Sequence, residues 1–312
     1  MDGLLNVYKE RGFTSHDVVA KLRGILKQKK IGHTGTLDPE AEGVLPVCLG
    51  KATKVCGLLT EKDKEYRAVL LLGLTTDTQD ITGKIQRECD VEAGETAIKE
   101  AVMSFVGEYE QLPPMYSALK VGGKKLYELA RQGKEVERKK RQVRIYRIVI
   151  EKVELPRVTM TVNCSRGTYI RTLCHDIGNR IGCGGCMESL VRTSVSDFYI
   201  KDAMTLKQIE NLRDEGALEQ ALTPVDTLFL SYPAYCAKET AGKRLYNGNP
   251  LEFEELVREG RPDVRDGEAE SGKGGDFPEK IRIYDWNRNF IGIYSYEGTG
   301  SFYRPETLFF VV

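Results

Sequence analysis

Histidine is scarce: His16, His33 and His175 are the only three in 312 residues, and none stands in a ligand spacing with a cysteine or an acid. No metal centre is expected. Eight cysteines are scattered along the chain, and only Cys183-Gly184-Gly185-Cys186 has the Cys-x-x-Cys spacing, which without a second pair reads as a turn rather than a zinc or redox site. An apolar run long enough to span a membrane is missing, as is a segment of targeting type, so a cytoplasmic, reducing compartment is expected, with no membrane association and no disulfides. Net charge is also lacking, because 46 Lys and Arg balance 46 Asp and Glu. Affinity for a polyanion must therefore come from local patches.

Such patches exist. Residues 120–147 hold eleven bases and three acids, a net of 11 − 3 = +8, with Tyr127 and Tyr146 between them, whereas 252–280 hold ten acids and five bases, a net of −5. The first reads either as a solvated face or as a surface for phosphates. Within the second, 261–278 is rich in Gly, Asp and Glu with few apolar residues and is expected to be a mobile loop.

Thr14-Ser15-His16-Asp17 has capping-box spacing ahead of Val18, Val19, Leu22, Ile25 and Leu26, which predicts an amphipathic helix. A second is predicted from about Thr96, through Ile98, Ala101, Val102, Phe105 and Val106, stopping at Gly107. Alternation predicts strands over 65–72, 143–153 and 158–162, and a hairpin in which Ile281, Ile283 and Ile291, Ile293 flank a turn at 285–289. Helices and strands are interspersed without a βαβ repeat, so the fold class is α+β. A domain boundary is expected near 230–235, dividing residues 1–230 from a small β-rich unit at 231–312.

The densest chemistry lies in GHTGTLDPEAEG, residues 32–43. Asp38 precedes a proline, which disfavours the α region, and three glycines permit conformations closed to other residues. The loop is built to a shape. It is not a P-loop: from Gly43 to Lys51, Leu45 stands where a glycine is required and Ala52 replaces Ser or Thr. On spacing alone Asp38 fits a turn residue bonded to nearby backbone as well as it fits a reactive carboxylate.

Four runs settle the choice: GHTGTLDPEAEGVLPVCLGKATK; KEYRAVLLLG with TDTQDITG; PPMYSALKVGGKKLYELARQG; and CSRGTYIRTLCHDIG. Together, and in this order, they resemble the bacterial TruB-type tRNA pseudouridine synthases over roughly residues 3–228. The resemblance implies a catalytic domain with a mixed, largely antiparallel sheet flanked by helices, followed by a PUA-like RNA-binding unit. It also implies cofactor-free isomerisation of uridine 55 in the tRNA T loop: the glycosidic bond breaks, the uracil turns, and carbon 5 bonds to the sugar.

Roles follow by position. Asp38 matches the catalytic aspartate, acting as nucleophile or as base. Tyr66, by periodicity a core strand residue, matches a tyrosine that stacks on the base and is placed to take the carbon 5 proton. Arg171, by periodicity a helix flank, matches an arginine paired with the aspartate. His33 matches a histidine that helps fill the gap left by the flipped nucleotide, and Leu190 an apolar residue of the uracil pocket. Lys124, Lys125 and Arg141 fall in the basic stretch 120–147, which corresponds to an insertion that grips the T arm. Lys9 is placed with the substrate-binding residues, although Glu10 stands where the family has proline. The expected partner is tRNA alone, with no obligatory protein and a monomeric chain. A guide-RNA-dependent synthase and a tRNA-folding chaperone are the alternatives.

Overall fold

The computed structural model describes residues 1–259, 277–298 and 301–309. Nine strands form the larger sheet. Its path runs Gly3–Lys9, Glu42–Leu49, Gly185–Val195, Lys64–Leu72, Arg157–Cys164, Arg141–Glu154 and Gly107–Gln111, with Ile31–His33 and Phe198–Tyr199 attached beside it. One pairing is parallel, Gly185–Val195 on Glu42–Leu49, and every other pairing in this sheet is antiparallel. The sheet is therefore mixed and largely antiparallel, and the fold is α+β.

The helix Ser15–Leu26 begins with the capping box read in the sequence, where Thr14 accepts from the Asp17 amide and Asp17 from that of Thr14. Its buried residues Val18, Val19, Leu22 and Leu26 pack with Leu5, Val7, Leu45 and Val47 of the sheet. The predicted second helix is shorter than expected. It spans Glu95–Met103, and Gly107, at φ 111°, opens the next strand instead of capping the helix. Val106 is consequently exposed while Phe105 stays in the core.

The helix Ile170–Ile181 lies on the sheet through Ile170, Leu173, Cys174 and Ile177. A Cβ at Gly178 would stand 2.2 Å from the Gly185 nitrogen, so glycine is what lets the helix approach the strand that follows it. Cys183 lies in the turn between the two and Cys186 is the second residue of that strand, with both thiols free and buried.

A second sheet of six strands starts at Ala234–Ala237 and has a core of its own. The predicted hairpin is present as Lys280–Tyr284 on Phe290–Glu297. Phe229, Phe290 and Phe309 join the two sheets by packing with Leu4, Val44, Val55 and Phe198. Of the acidic stretch 261–278, only Phe277 and Pro278 lie within the described residues.

Candidate active site

The loop that carries Asp38 connects Ile31–His33 to Glu42–Leu49, two antiparallel strands. Its shape is over-determined. Leu37 and Ala41, on either side of Asp38, are 3% and 1% exposed and anchor the loop in the core. Ser15 at the start of the first helix accepts from the Leu37 amide at 2.9 Å, and the Pro39 carbonyl accepts from the Gly12 amide at 2.9 Å. Gly43, at φ 105°, closes the loop, and a Cβ there would stand 2.3 Å from the Arg192 carbonyl oxygen on the neighbouring parallel strand. A carboxylate between two buried apolar anchors has little choice of direction, and Asp38 lines a cleft of about 810 Å³.

Arg171 meets it there from the first turn of Ile170–Ile181. Its Nε lies 3.0 Å from Asp38 Oδ2 and its Nη2 donates to Oδ1 at 3.3 Å, a two-point fork. The guanidinium is itself fixed, donating to the carbonyls of Tyr116 at 2.8 Å and Thr78 at 3.2 Å and standing 3.6 Å from Asp80 Oδ2. The Asp38 side chain keeps 41% of its surface open to the cleft while Arg171 keeps 6%. Burial raises the Asp38 carboxyl above the ordinary carboxylate range, Arg171 draws it back, and the Asp80 charge adds to the rise.

Asp80 is a site residue that the sequence did not single out, although it stands in the TDTQDITG run. Its Oδ1 accepts from Thr78 Oγ1, Thr82 Oγ1 and the Thr82 amide at 2.6–3.0 Å. These bonds leave its second oxygen facing Arg171. Arg192 is another. Two residues beyond Leu190, it is 1% exposed and donates to the Val44 and Gly35 carbonyls that bracket the aspartate loop.

The other expected residues divide. His33 and Leu190 line the cleft with Asp38 and Arg171. His33 packs edge-on to His16 at 5.8 Å, and burial, followed by the charges of His16 and Arg192, lowers its pKa. Tyr66 lies in the core with Leu37, Ala41 and Leu190 at 8% exposure, outside the cleft lining, and burial raises its hydroxyl pKa.

Lys9 is placed differently from expectation. It is fully buried, and its ammonium donates to the carbonyls of Phe13 at 2.5 Å and of Glu10 and Pro39 at 3.1 Å, away from the cleft lining. Burial lowers its pKa to about 8. Lys9 therefore braces the aspartate loop from below, with no surface left for a substrate. Lys9→Met, which strands these carbonyls in the interior, is expected to cost about 3 kcal/mol, read as a lower thermal midpoint with the tRNA affinity of the folded fraction unchanged.

The basic stretch also divides. Lys120–Val121 and Lys124–Lys125 form a hairpin around Gly122 and Gly123, both at positive φ, which leads into the helix Leu126–Arg131. Lys125, Tyr127 and Arg131 of this unit overhang the aspartate cleft, with both cations over the Tyr127 ring at 5.4 Å. Lys124 is exposed beside them. Arg141 opens a strand of the main sheet, outside the cleft lining, and Val143 and Ile145 behind it are core. The stretch is thus a hairpin–helix unit that continues into the body of the fold, not one separate insertion. Among the described residues, no three His, Cys, Asp or Glu are grouped as a metal would need, and no helix is long and apolar enough to cross a membrane.

Two family models match the chain. Residues 23–170 match the TruB family pseudouridylate synthase N-terminal domain, and residues 171–230 match the tRNA pseudouridylate synthase B C-terminal domain. A tRNA pseudouridine synthase B of Lachnoclostridium phytofermentans is 52% identical over 99% of this chain and the whole of its own length. One from Alkaliphilus oremlandii is 49% identical over 82% of this chain and 85% of its own. Among solved structures, a chain of a Cbf5-Nop10-Gar1 complex aligns with a TM-score of 0.69 at 26% identity, covering 99% of this chain and 85% of that one.

Proposed function

Because the chain belongs to the TruB family of pseudouridylate synthases, we propose that it converts uridine 55 of tRNA to pseudouridine, with Asp38 as the reacting carboxylate. The observation that carries this reading is the Asp38–Arg171 fork, held in a cleft large enough for one nucleotide and built on a loop whose backbone is fixed at both ends.

Isomerisation needs the uracil detached, turned and reattached without loss. A carboxylate oriented by a guanidinium serves that chemistry whether it attacks the nucleotide or removes a proton from the sugar. His33 and His16 line the cleft edge-on to each other, suited to the space a flipped nucleotide vacates, and Leu190 offers an apolar wall to the ring. Tyr66 packs in the core with the cleft-lining Leu37, Ala41 and Leu190, so its contact with a base requires those side chains to shift when RNA enters. No cofactor is assigned a step, because bond cleavage and formation are internal to the substrate.

Flipping a base costs a few kcal/mol, which backbone contacts must offset. The hairpin–helix unit with Lys124, Lys125 and Arg131 supports that role and favours action on tRNA without a guide RNA or partner protein. The six-stranded C-terminal sheet is the PUA-like unit of this reading. The test is to incubate the purified chain alone with a tRNA transcript and map pseudouridine by position. Conversion confined to position 55 is expected. Replacing Lys124 and Lys125 with Gln should raise KM at fixed kcat and flatten the salt dependence of binding by about one unit of slope per lost phosphate contact. A requirement for added RNA or protein, or modification elsewhere in the transcript, would contradict the proposal.

A further inference from the structure

Arg171 stands where a helix gives a cation no help. It is the second residue of Ile170–Ile181, whose first turn holds no acid and whose N-cap, Tyr169, makes no side-chain cap, and the positive end of a helix dipole opposes a guanidinium there. Its place must be imposed from outside. Gln111, the last residue of Gly107–Gln111 and 1% exposed, does so on one side: its Oε1 accepts from the Tyr169 amide at 2.7 Å and its Nε2 donates to the Tyr169 carbonyl at 2.9 Å. A two-point bond to one residue's backbone needs an acceptor and a donor side by side, which glutamine has and glutamate lacks. On the other side, Gln79 Oε1 accepts from the Thr172 hydroxyl at 2.8 Å, and Thr172 is 2% exposed. Gln79 stands at φ 64°, a left-handed backbone that a non-glycine residue adopts at a cost, and its carbonyl is held by the Met187 amide at 3.0 Å. That turn aims both neighbours of Gln79 at the same guanidinium, the Thr78 carbonyl at 3.2 Å and Asp80 Oδ2 at 3.6 Å. The two gripped residues, Tyr169 and Thr172, flank Arg171 in the chain.

We propose that Gln111 and Gln79 are positioning residues for the reaction: gripping the first turn of Ile170–Ile181 from a strand and from a turn, they hold the Arg171 fork on Asp38. The proposal rests on the isomerase reading above and extends it to two residues that stand outside the cleft lining. Each acts through Arg171. Rigid placement matters because a fork that withdraws by about an ångström loses its orienting bonds and much of its influence on the carboxylate. The charged groups that act on Asp38 are Arg171, Asp80 and Lys9, and Asp38 acts in turn on the Tyr66 and Tyr169 hydroxyls. Other charges of the lining are engaged elsewhere, Glu40 with Arg11 and Glu188 with Arg157, while Lys125 and Arg131 lie over the Tyr127 ring and His16 faces His33. Arg171 is the group that draws the Asp38 carboxyl down most. Lys9 is held by the Phe13 and Pro39 carbonyls and Asp80 by the Thr78 and Thr82 hydroxyls, so replacing Gln111 loosens Arg171 and leaves both of them in place.

The experiment is single-turnover pseudouridine formation on a T-arm stem-loop across the acid limb of the pH profile, with RNA affinity and thermal midpoint measured beside it. The proteins are wild type, Gln111→Met, Gln79→Gly, Arg171→Met and the double variant Gln111→Met with Arg171→Met. Methionine keeps the volume of Gln111 and loses both bonds, whereas glycine at 79 loses the bond and the left-handed strain together. Gln111→Met and Gln79→Gly are each expected to slow conversion about tenfold or more at unchanged RNA affinity, and to move the acid limb to higher pH, because Asp38 ionises less readily once the fork loosens. In the Arg171→Met background, Gln111→Met should slow the reaction less than about threefold further. An acid limb that stays put, or the same loss in both backgrounds, means that the clamp serves only the fold and overturns the proposal. If Gln111→Met does not fold, Gln79→Gly decides alone. Relief of strain keeps its thermal midpoint near that of the wild type, so a wild-type rate and limb there overturn the proposal, and slower conversion with a raised limb upholds it. Absence of conversion by the wild type would instead defeat the isomerase reading itself.

Discussion

Asp38→Asn is expected to bind a T-arm stem-loop within about threefold of the wild type, because affinity for RNA comes mainly from phosphate and shape contacts, and to form product at least about 10⁴-fold more slowly. The amide is nearly the same size and can still accept one bond from Arg171, so Leu37 and Ala41 keep the loop in place. What it lacks is the anionic oxygen. Loss of the ion pair should cost only modest stability, since the buried Arg171 keeps Asp80 and the carbonyls of Thr78 and Tyr116 as partners. A filter-binding titration beside a single-turnover assay separates the two quantities. A matching loss of binding would mean that Asp38 holds the RNA and does not act on it.

Arg171→Met is the second large effect. The substitution removes the fork on Asp38 and leaves Asp38 and Asp80 without the cation between them. It also strands the carbonyls of Tyr116 and Thr78. The turnover number should fall about 10³-fold through lost orientation, and the pH profile should move in a definite direction. Asp38 must be ionised to react, so the rate falls as pH drops through its folded pKa. That pKa is already raised by burial, and Arg171 is the largest influence lowering it. Without Arg171 the acid limb therefore moves to higher pH. Arg171→Lys, which keeps the charge but not the fork, should lie between. An acid limb that stays put while the rate collapses would show that Arg171 only supports the loops.

The two halves of the site differed in how far the sequence disclosed them. Asp38 and its loop stood out because a glycine-rich run with a pre-proline carboxylate is rare and long enough to resemble one family. The first helix was legible from Thr14 and Asp17 because capping is a local interaction. Arg171 needed the resemblance, since helical spacing alone makes it a flank. Asp80 sits among threonines in a turn where an aspartate bonded to its neighbours is ordinary, so nothing local distinguished it. Lys9 and Arg192 were hidden for another reason. Charged side chains on strands are usually exposed, and burial of these two depends on carbonyls 30 and 148 or more residues away in the chain. Charge density alone runs residues 120–147 together because it ignores the alternation of Val143 and Ile145, which places the last residues of the stretch in the main sheet.

The account depends on one ionised carboxylate acting on one tRNA nucleotide. The most direct measurement is tritium release from carbon-5-labelled tRNA by the purified wild-type chain and by Asp38→Asn at matched RNA occupancy. Release of one equivalent per tRNA by the wild type and none by the variant is the predicted result, and equal release by the two proteins would contradict it.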